Sequence, residues 1–272
     1  MKLSFWKMSG AGNDFVCLDN RSGKLRLTKR QRERLCHRQF GVGADGLLIL
    51  EKSKASSKAD VRMRYYNADG GEAEMCGNGA RCFARYVQKM KSWKKARLSF
   101  DTPAGKITAL FCGDEVQVDL TLPEWPPAEA TVDASELPNP LYILNTGVPH
   151  AVVFVESIDD LDVISYGSLI RNHAKFAPAG TNVNFVEKRG KRLIVRTYER
   201  GVEAETLACG TGVTAVALVA HHVLELNSPI ELVVRSGCKL KVFFEFDESG
   251  KKVSSVSLFG PADFVYQGEI HV

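Results

Sequence analysis

No apolar run in the 272 residues approaches the roughly 18 needed to cross a bilayer as a helix, which argues against a membrane partner. The opening segment lacks the charged-then-apolar layout of a secretory signal. The cysteines form no CxxC pair and no HxxxH companion exists, so the ligand spacing of a zinc site is missing. Charge of one sign is also scarce: the net charge is only +4 and the basic residues are scattered. The densest basic cluster, KMKSWKKAR (Lys89 to Arg97), reads as a solvated helix end and turn, and no nucleic-acid partner is expected. Seven cysteines cannot all pair, and free thiols in a reducing cytoplasm are the simplest account.

What is present is the make-up of a globular protein, 44% hydrophobic and 25% charged, with chain enough for two cores. Half of the ten prolines fall between Pro123 and Pro140, flanked by the strand-like runs Val116 to Leu122 and Tyr142 to Gly147. This stretch is the best domain boundary. Residues 1–122 with 263–272 are expected to form one domain, and 123–262 the other. Each half reads as many short strands and few helices. Alternation marks Val61 to Tyr66, Asn182 to Glu187, Arg192 to Tyr198 and Lys239 to Phe246 as strands. The pattern TKRQ at Thr28 predicts a capped helix ending near Gly41, and a weaker helix is expected over 167–176.

Two segments echo each other. YNADGGEAEMCGNGARCFARYV starts at Tyr66, and YERGVEAETLACGTGVTAVALVA starts at Tyr198. Both run strand, polar turn, EAE, then Cys-Gly-x-Gly and a helix-length apolar segment. A similarity recurring at about half the chain length points to a duplicated domain rather than a solenoid. The second helix, around Val213 to Val219, is apolar nearly all round, which predicts enclosure by sheet.

A cysteine at a helix start faces backbone N–H groups that lack intrahelical partners. Those donors and the helix dipole stabilise a thiolate and are expected to lower the thiol pKa, while the glycines leave the N–H groups open to an anion. Two such units facing one another across a cleft can remove a proton from one face of a carbon and return one to the other. A single cysteine by itself is equally compatible with a packing thiol or half of a disulfide. Cys17, Cys36, Cys82, Cys112 and Cys238 sit in apolar or strand-like settings and read as packing residues. The GVGADG of Gly41 to Gly46 matches a dinucleotide fingerprint only literally, because it follows a helix and leads into a strand.

SGAGNDFVCLDN (Ser9 to Asn20), YNADGGEAEMCGNGARCFARYV, GTNVNFVE and YERGVEAETLACGTG resemble the fingerprint segments of the diaminopimelate epimerases. The resemblance extends from the first strand to the closing GEIHV. It implies an α/β (α+β) fold of two pseudo-symmetric domains, each a curved sheet or barrel around a central helix. The active site would lie in the interdomain cleft, and the strand after Phe259 to Asp263 would return to the first domain. It further implies cofactor-independent epimerisation of LL-2,6-diaminopimelate to the meso form, in lysine and peptidoglycan precursor synthesis, by a homodimer that needs no metal.

Cys76 and Cys209 match the acid/base pair, the first usually written as donor and the second as acceptor. Asn13, Asn67 and Asn182 match substrate-binding asparagines. Gly77 with Asn78, and Gly210 with Thr211, match backbone donors at the helix starts. Glu199 and Arg200 match substrate contacts, with Glu199 also near the thiols, and His150 matches a histidine that supports them. The chain departs from the pattern at Gly46, where many relatives carry a substrate-contacting Gln, and at Val148, where many carry Asn. Those departures bear on recognition of the substrate's distal end. Three rival readings have different chemistry: a proline or hydroxyproline racemase, a thiol redox protein cycling Cys76 and Cys209, and an amino-acid-binding module without catalysis.

Overall fold

The computed structural model describes residues 1–132 and 140–272; residues 133–139 of the proline-rich stretch lie outside the described residues. Contacts divide the chain into two compact units, residues 1–119 with 260–272 and residues 120–259.

The first unit opens with a hairpin, Lys2–Gly10 against Asn13–Asp19. Its two-residue turn, Ala11-Gly12, has positive φ at both positions, 62° and 98°. That is the turn handedness that follows the twist of the paired strands. It places Asn13 at the first position of the second strand, opposite Gly10. The strand Asn13–Asp19 pairs in parallel with Gly46–Glu51, which pairs antiparallel with Val61–Asn67. The parallel step needs a crossover, and helix α1 (Lys29–Cys36) supplies it. Thr28 and Gln31 form the expected reciprocal capping box. The helix ends at Cys36 rather than near Gly41, because His37 is extended and the chain turns back there.

After Val61–Asn67 comes the short strand Glu72–Ala73, then Cys76, then helix α2 (Gly77–Met90). The chain re-enters the sheet at Arg97–Thr102, parallel to Val61–Asn67, and continues antiparallel through Gly105–Cys112 and Glu115–Asp119. The C-terminal strand Asp263–His271 pairs along Lys2–Gly10, so the last residues complete the first unit.

The second unit repeats this order of elements. Leu141–Asn145 and Pro149–Phe154 pair antiparallel, and Pro149–Phe154 runs parallel to Asn182–Arg189. The crossover is helix α3 (Val163–Arg171), capped by Asp162, followed by a short 3-10 turn at Ala174–Phe176. The helix therefore begins before residue 167 and ends before 176, whereas the sequence predicts a single helix over 167–176. Asn182–Arg189 pairs with Arg192–Glu199, which leads through Ala204–Thr206 to Cys209 and helix α4 (Gly210–Leu224). Ile230–Val233 then returns parallel to Arg192–Glu199, followed antiparallel by Lys239–Phe246 and Val253–Pro261.

Each unit wraps strands around its own central helix. Helix α2 packs on strands 2–10, 13–19, 46–51, 105–112 and 115–119; α4 packs on 141–145, 149–154, 182–189, 230–233 and 239–246. Every residue of α4 from Gly212 to Ala220 is buried. Each fully buried Val or Leu there contributes roughly 1.5–3 kcal/mol before entropy is counted. The all-round apolar sequence is thus explained by sheet on all sides rather than by a membrane. Among the described residues no helix is long and apolar enough to cross one. In α2 the fully buried Arg81 interrupts the same pattern.

Candidate active site

The two cysteines occupy one topological position, the N-cap of the central helix, in extended backbone conformation: φ −142° and ψ 120° at Cys76, φ −117° and ψ 112° at Cys209. Both are half-buried. The strand-turn-strand before each aims the chain at the helix axis, and the glycines after it let the first turn form against packed neighbours.

In the first unit the Cys76 sulfur caps its helix, accepting from the Gly79 N–H at 3.4 Å. The thiol also lies 3.6 Å from Asn13 Oδ1, to which it donates. Asn78 Nδ2 donates to the same oxygen at 3.4 Å, and Asn13 Nδ2 donates to Asp45 Oδ2 at 2.7 Å. Asn13, Asn78 and Cys76 are therefore brought together. Asn67 is exposed at the end of its strand, paired across the sheet with Gly46. Gly77 is buried in the first turn of α2.

The departure at Gly46 has a packing reason. A Cβ there would stand 2.6 Å from Tyr65 Cε2 and 2.8 Å from the Tyr66 carbonyl oxygen. The Tyr65 ring, packed edge-on to Phe15, occupies the space a glutamine side chain would enter. Behind the strand, Lys7 bridges to Asp14 at 2.7 Å, and Arg38 reaches both Asp14 and Asp45. Burial alone would raise the Asp14 carboxyl, but Arg38 and Lys7 outweigh it and hold it below its ordinary value.

In the second unit Cys209 makes no capping bond to its helix; its sulfur lies 3.5 Å from Thr211 Oγ1. Glu199 stands beside the thiol and accepts from Thr206 Oγ1 at 2.8 Å. Desolvation, followed by the Glu199 charge, pushes the Cys209 thiol well above its ordinary value, against the opposing pull of Thr211 and the Gly212 N–H. The expectation of a lowered pKa is corrected here: a helix N-terminus stabilises a thiolate, but burial next to a carboxylate costs more.

Asn182 is buried, with Nδ2 donating to the Pro149 carbonyl and Oδ1 accepting from the Arg200 N–H at 2.9 Å. It thereby sets the backbone that carries Arg200, whose guanidinium reaches the Ala179 carbonyl at 3.2 Å. Thr146 Oγ1 donates to the Thr211 carbonyl at 3.0 Å, anchoring the first turn of α4, where Gly210 is buried.

His150 is fully buried, and desolvation, with the nearby Arg200 charge, lowers its pKa to about 3, so the ring is neutral. Asn184 Oδ1 accepts from Thr197 Oγ1, so its Nδ2 faces His150 Nδ1 at 3.1 Å and donates to it. That arrangement makes Nδ1 the acceptor and puts the proton on Nε2. Nε2 has no hydrogen-bond partner among the described residues.

Four residues of this machinery escaped the sequence reading: Asn184, Thr206, Asp45 and Arg81. Asn184 was visible two positions after Asn182 in NVNFVE, on the same face of the strand. Arg81, a charge in an otherwise apolar helix face, was the other available signal. Thr206 and Asp45 had none. Among the remaining cysteines, Cys17, Cys36 and Cys82 are buried and their thiols are pushed up by desolvation, Cys36 to about 12. Cys112 is exposed at a strand end, so the packing reading fails there. Cys238 is half-buried beside the Ser236 turn.

The fold is shared with known structures along the whole chain. A Bacillus anthracis phenazine biosynthesis protein of the PhzF family matches with a TM-score of 0.76 at 18% identity, covering 100% of both chains. A hydroxyproline epimerase from Agrobacterium vitis matches with a TM-score of 0.73 at 14% identity, covering 99% of this chain and 92% of the other. These matches define the class by fold: two-domain proteins of the PhzF and proline racemase type.

Sequence narrows the class. The profile of the family Diaminopimelate epimerase matches residues 5–125 and 142–265. The diaminopimelate epimerase of Aquifex aeolicus is 41% identical over 281 residues, 98% of each chain. That of Archaeoglobus fulgidus is 42% identical over 253 residues, 87% of this chain and 88% of its own. The chain belongs to the diaminopimelate epimerase family, and so to the isomerases.

Proposed function

We propose that the chain converts LL-2,6-diaminopimelate to the meso isomer without a cofactor, with Cys76 and Cys209 as the acid/base pair. The observation that carries this reading is the repeated one: two copies of the same unit each begin their central helix at a half-buried cysteine. In the LL-to-meso direction the Cys209 thiolate removes the α-proton, and Cys76 delivers one to the opposite face of the carbanion. In the reverse direction the roles exchange.

The α-carboxylate is held by helix-start N–H groups, from Gly77 and Asn78 and from Gly210 and Thr211, which favour an anion. Asn13, Asn67, Asn182, Glu199 and Arg200 complete the substrate contacts, with Glu199 also serving as the charged neighbour of Cys209. His150 supports this half of the site as a neutral donor. Residues 1–119 with 260–272 and residues 120–259 serve as the two epimerase domains. The same reading carries a cytoplasmic homodimer working in lysine and peptidoglycan precursor synthesis.

A proline-type racemase is the nearest rival. The solved hydroxyproline epimerase shares only fold-level similarity, whereas full-length relatives near 40% identity carry the name diaminopimelate epimerase. Proton NMR of LL-diaminopimelate with reduced protein in D₂O tests the proposal. Loss of the α-hydrogen signal with growth of the meso isomer is the expected result. A folded, fully reduced protein that exchanges nothing refutes the assignment, and proline and hydroxyproline would be tried next.

A further inference from the structure

Asn13 is held at both ends by groups that bond in only one sense. An ionised carboxylate only accepts, so Asp45 Oδ2, 2.7 Å away, compels Asn13 to present its Nδ2 there. The oxygen of the amide must then face the other way, toward Cys76 and Asn78. A guanidinium only donates, and Arg81, fully buried in α2, gives Nη2 to Asn78 Oδ1 at 3.0 Å. Asn78 is thereby obliged to point its Nδ2 at Asn13, and it does so at 3.4 Å. Both ends agree on one orientation: Oδ1 of Asn13 faces the sulfur. The orientation of the amide is dictated by the chemistry of its neighbours. Asp45 is itself braced by Arg38 at 2.8 Å and by the Asp14 backbone N–H at 3.1 Å, and Arg81 by the Pro261 carbonyl at 3.2 Å.

We infer that Asp45 is a positioning residue that orients Asn13 so that Cys76 rests as a protonated thiol donating to an amide oxygen. The proposal rests on the reading of Cys76 as a catalytic thiol and adds how its resting proton is held. A neutral amide oxygen at 3.6 Å is a weak acceptor, so the proton is located without being tightly retained. Reversing the amide would turn Nδ2 toward the sulfur, where a donor favours the thiolate. It would also set Oδ1 against the Asp45 carboxylate. Asp45 does not touch the thiol; it acts through Asn13.

Infrared difference spectra between the reduced chain and its Cys76→Ala variant isolate the S–H stretching band of this thiol. The band is expected at neutral pH, on the low-frequency side that marks a hydrogen-bonded S–H. Asp45→Lys, a donor-only side chain at a partly exposed position, sets a donor against Asn13 Nδ2 in opposition to Asn78, so the amide should lose its single orientation and the band should move to higher frequency or fade. Asp45→Asn, which can still accept, should keep it, and so should Arg38→Met, which loosens the loop but leaves the carboxylate. In the unsubstituted chain, one Asn13 side-chain amide proton should carry the downfield shift of an N–H bonded to a carboxylate, a measurement that needs no variant to fold. A parent spectrum with no Cys76 S–H band, an unchanged band in Asp45→Lys, or an Asn13 amide without that downfield proton overturns the proposal. These readouts concern the resting protein, so they stand or fall separately from α-proton exchange on diaminopimelate.

Discussion

Cys76 and Cys209 begin equivalent helices in equivalent units, yet the groups around the two sulfurs differ. Cys76 caps its helix through the Gly79 N–H and leans on a neutral amide oxygen; Cys209 makes no cap and stands beside the Glu199 carboxylate. The first helix carries a buried guanidinium at Arg81, whereas the second is apolar throughout its buried stretch except for Thr214, whose hydroxyl bonds back to the Gly210 carbonyl. The third strand of the first unit begins at Gly46, and its counterpart in the second unit begins at the buried Asn182. The same backbone geometry therefore occurs twice, and different side chains make the two thiols chemically distinct. A reaction that interconverts two stereoisomers needs opposed groups of similar strength but not identical surroundings.

The largest effects test whether both units are needed. Cys76→Ala and Cys209→Ala are each expected to lower epimerisation by on the order of 10²–10⁴-fold, the usual weight of a positioned acid or base. NMR of α-proton loss in D₂O measures this. A variant of either cysteine that keeps wild-type turnover would break the symmetry on which the functional reading rests.

Stability separates the units next, through two equivalent glycines. A Cβ on Gly212 would collide with Asn184 Oδ1, which is locked by Thr197, whereas on Gly79 it would meet Leu48 and Phe15 at an ordinary 3.4 Å. Gly212→Ala should cost about 1–3 kcal/mol, the usual range for overpacking, and Gly79→Ala under about 1 kcal/mol. Urea unfolding of the two variants gives the comparison directly.

Acid should weaken the second unit through His150. Its folded pKa of about 3 lies below the ordinary 6.5, so between those values the unfolded chain binds a proton that the folded chain refuses. Stability from this group is complete above pH 6.5 and declines as pH falls toward 3. The loss at pH 5 is about 2 kcal/mol by linkage. His150→Gln should flatten that part of the pH dependence in denaturant titrations. An unchanged slope would mean that the imidazole is already protonated in the folded state.

The smallest effects sharpen the contrast between the sulfurs. Glu199→Gln removes the charge that raises the Cys209 thiol, so the pH midpoint for alkylation of Cys209 should fall while that of Cys76 stays in place. Thr211→Val removes a contact that lowers it, so the midpoint should rise. Mass-spectrometric alkylation rates against pH read both.

A good part of the molecule was legible in the sequence. Period-two alternation identified the strands at Val61, Arg192 and Lys239, because a strand with one buried face alternates. The strand at Asn182 alternates in sequence although both its faces are buried, its asparagines being hydrogen-bonded. The TKRQ capping box located the start of α1, but not its end, since nothing local at His37 announces extended backbone. The weaker helix expected over 167–176 was displaced because its cap, Asp162, stands before any apolar periodicity. At the site, the paired Cys-Gly-x-Gly segments exposed both thiols. Asp45 stayed hidden, because it acts through Asn13, which is distant in sequence, whereas Arg81 bonds Asn78 within one helical turn.

The sequence by itself determined that two cysteine-headed helices exist and that α4 is enclosed. Period, capping and uniform apolarity are local properties, expressed wherever the chain folds. Tertiary structure decided which distant group meets each sulfur: Asn13 at Cys76 and Glu199 at Cys209. Contacts between strands and helix starts depend on register and on burial. Burial is what raises the Cys209 thiol where the helix terminus by itself would lower it.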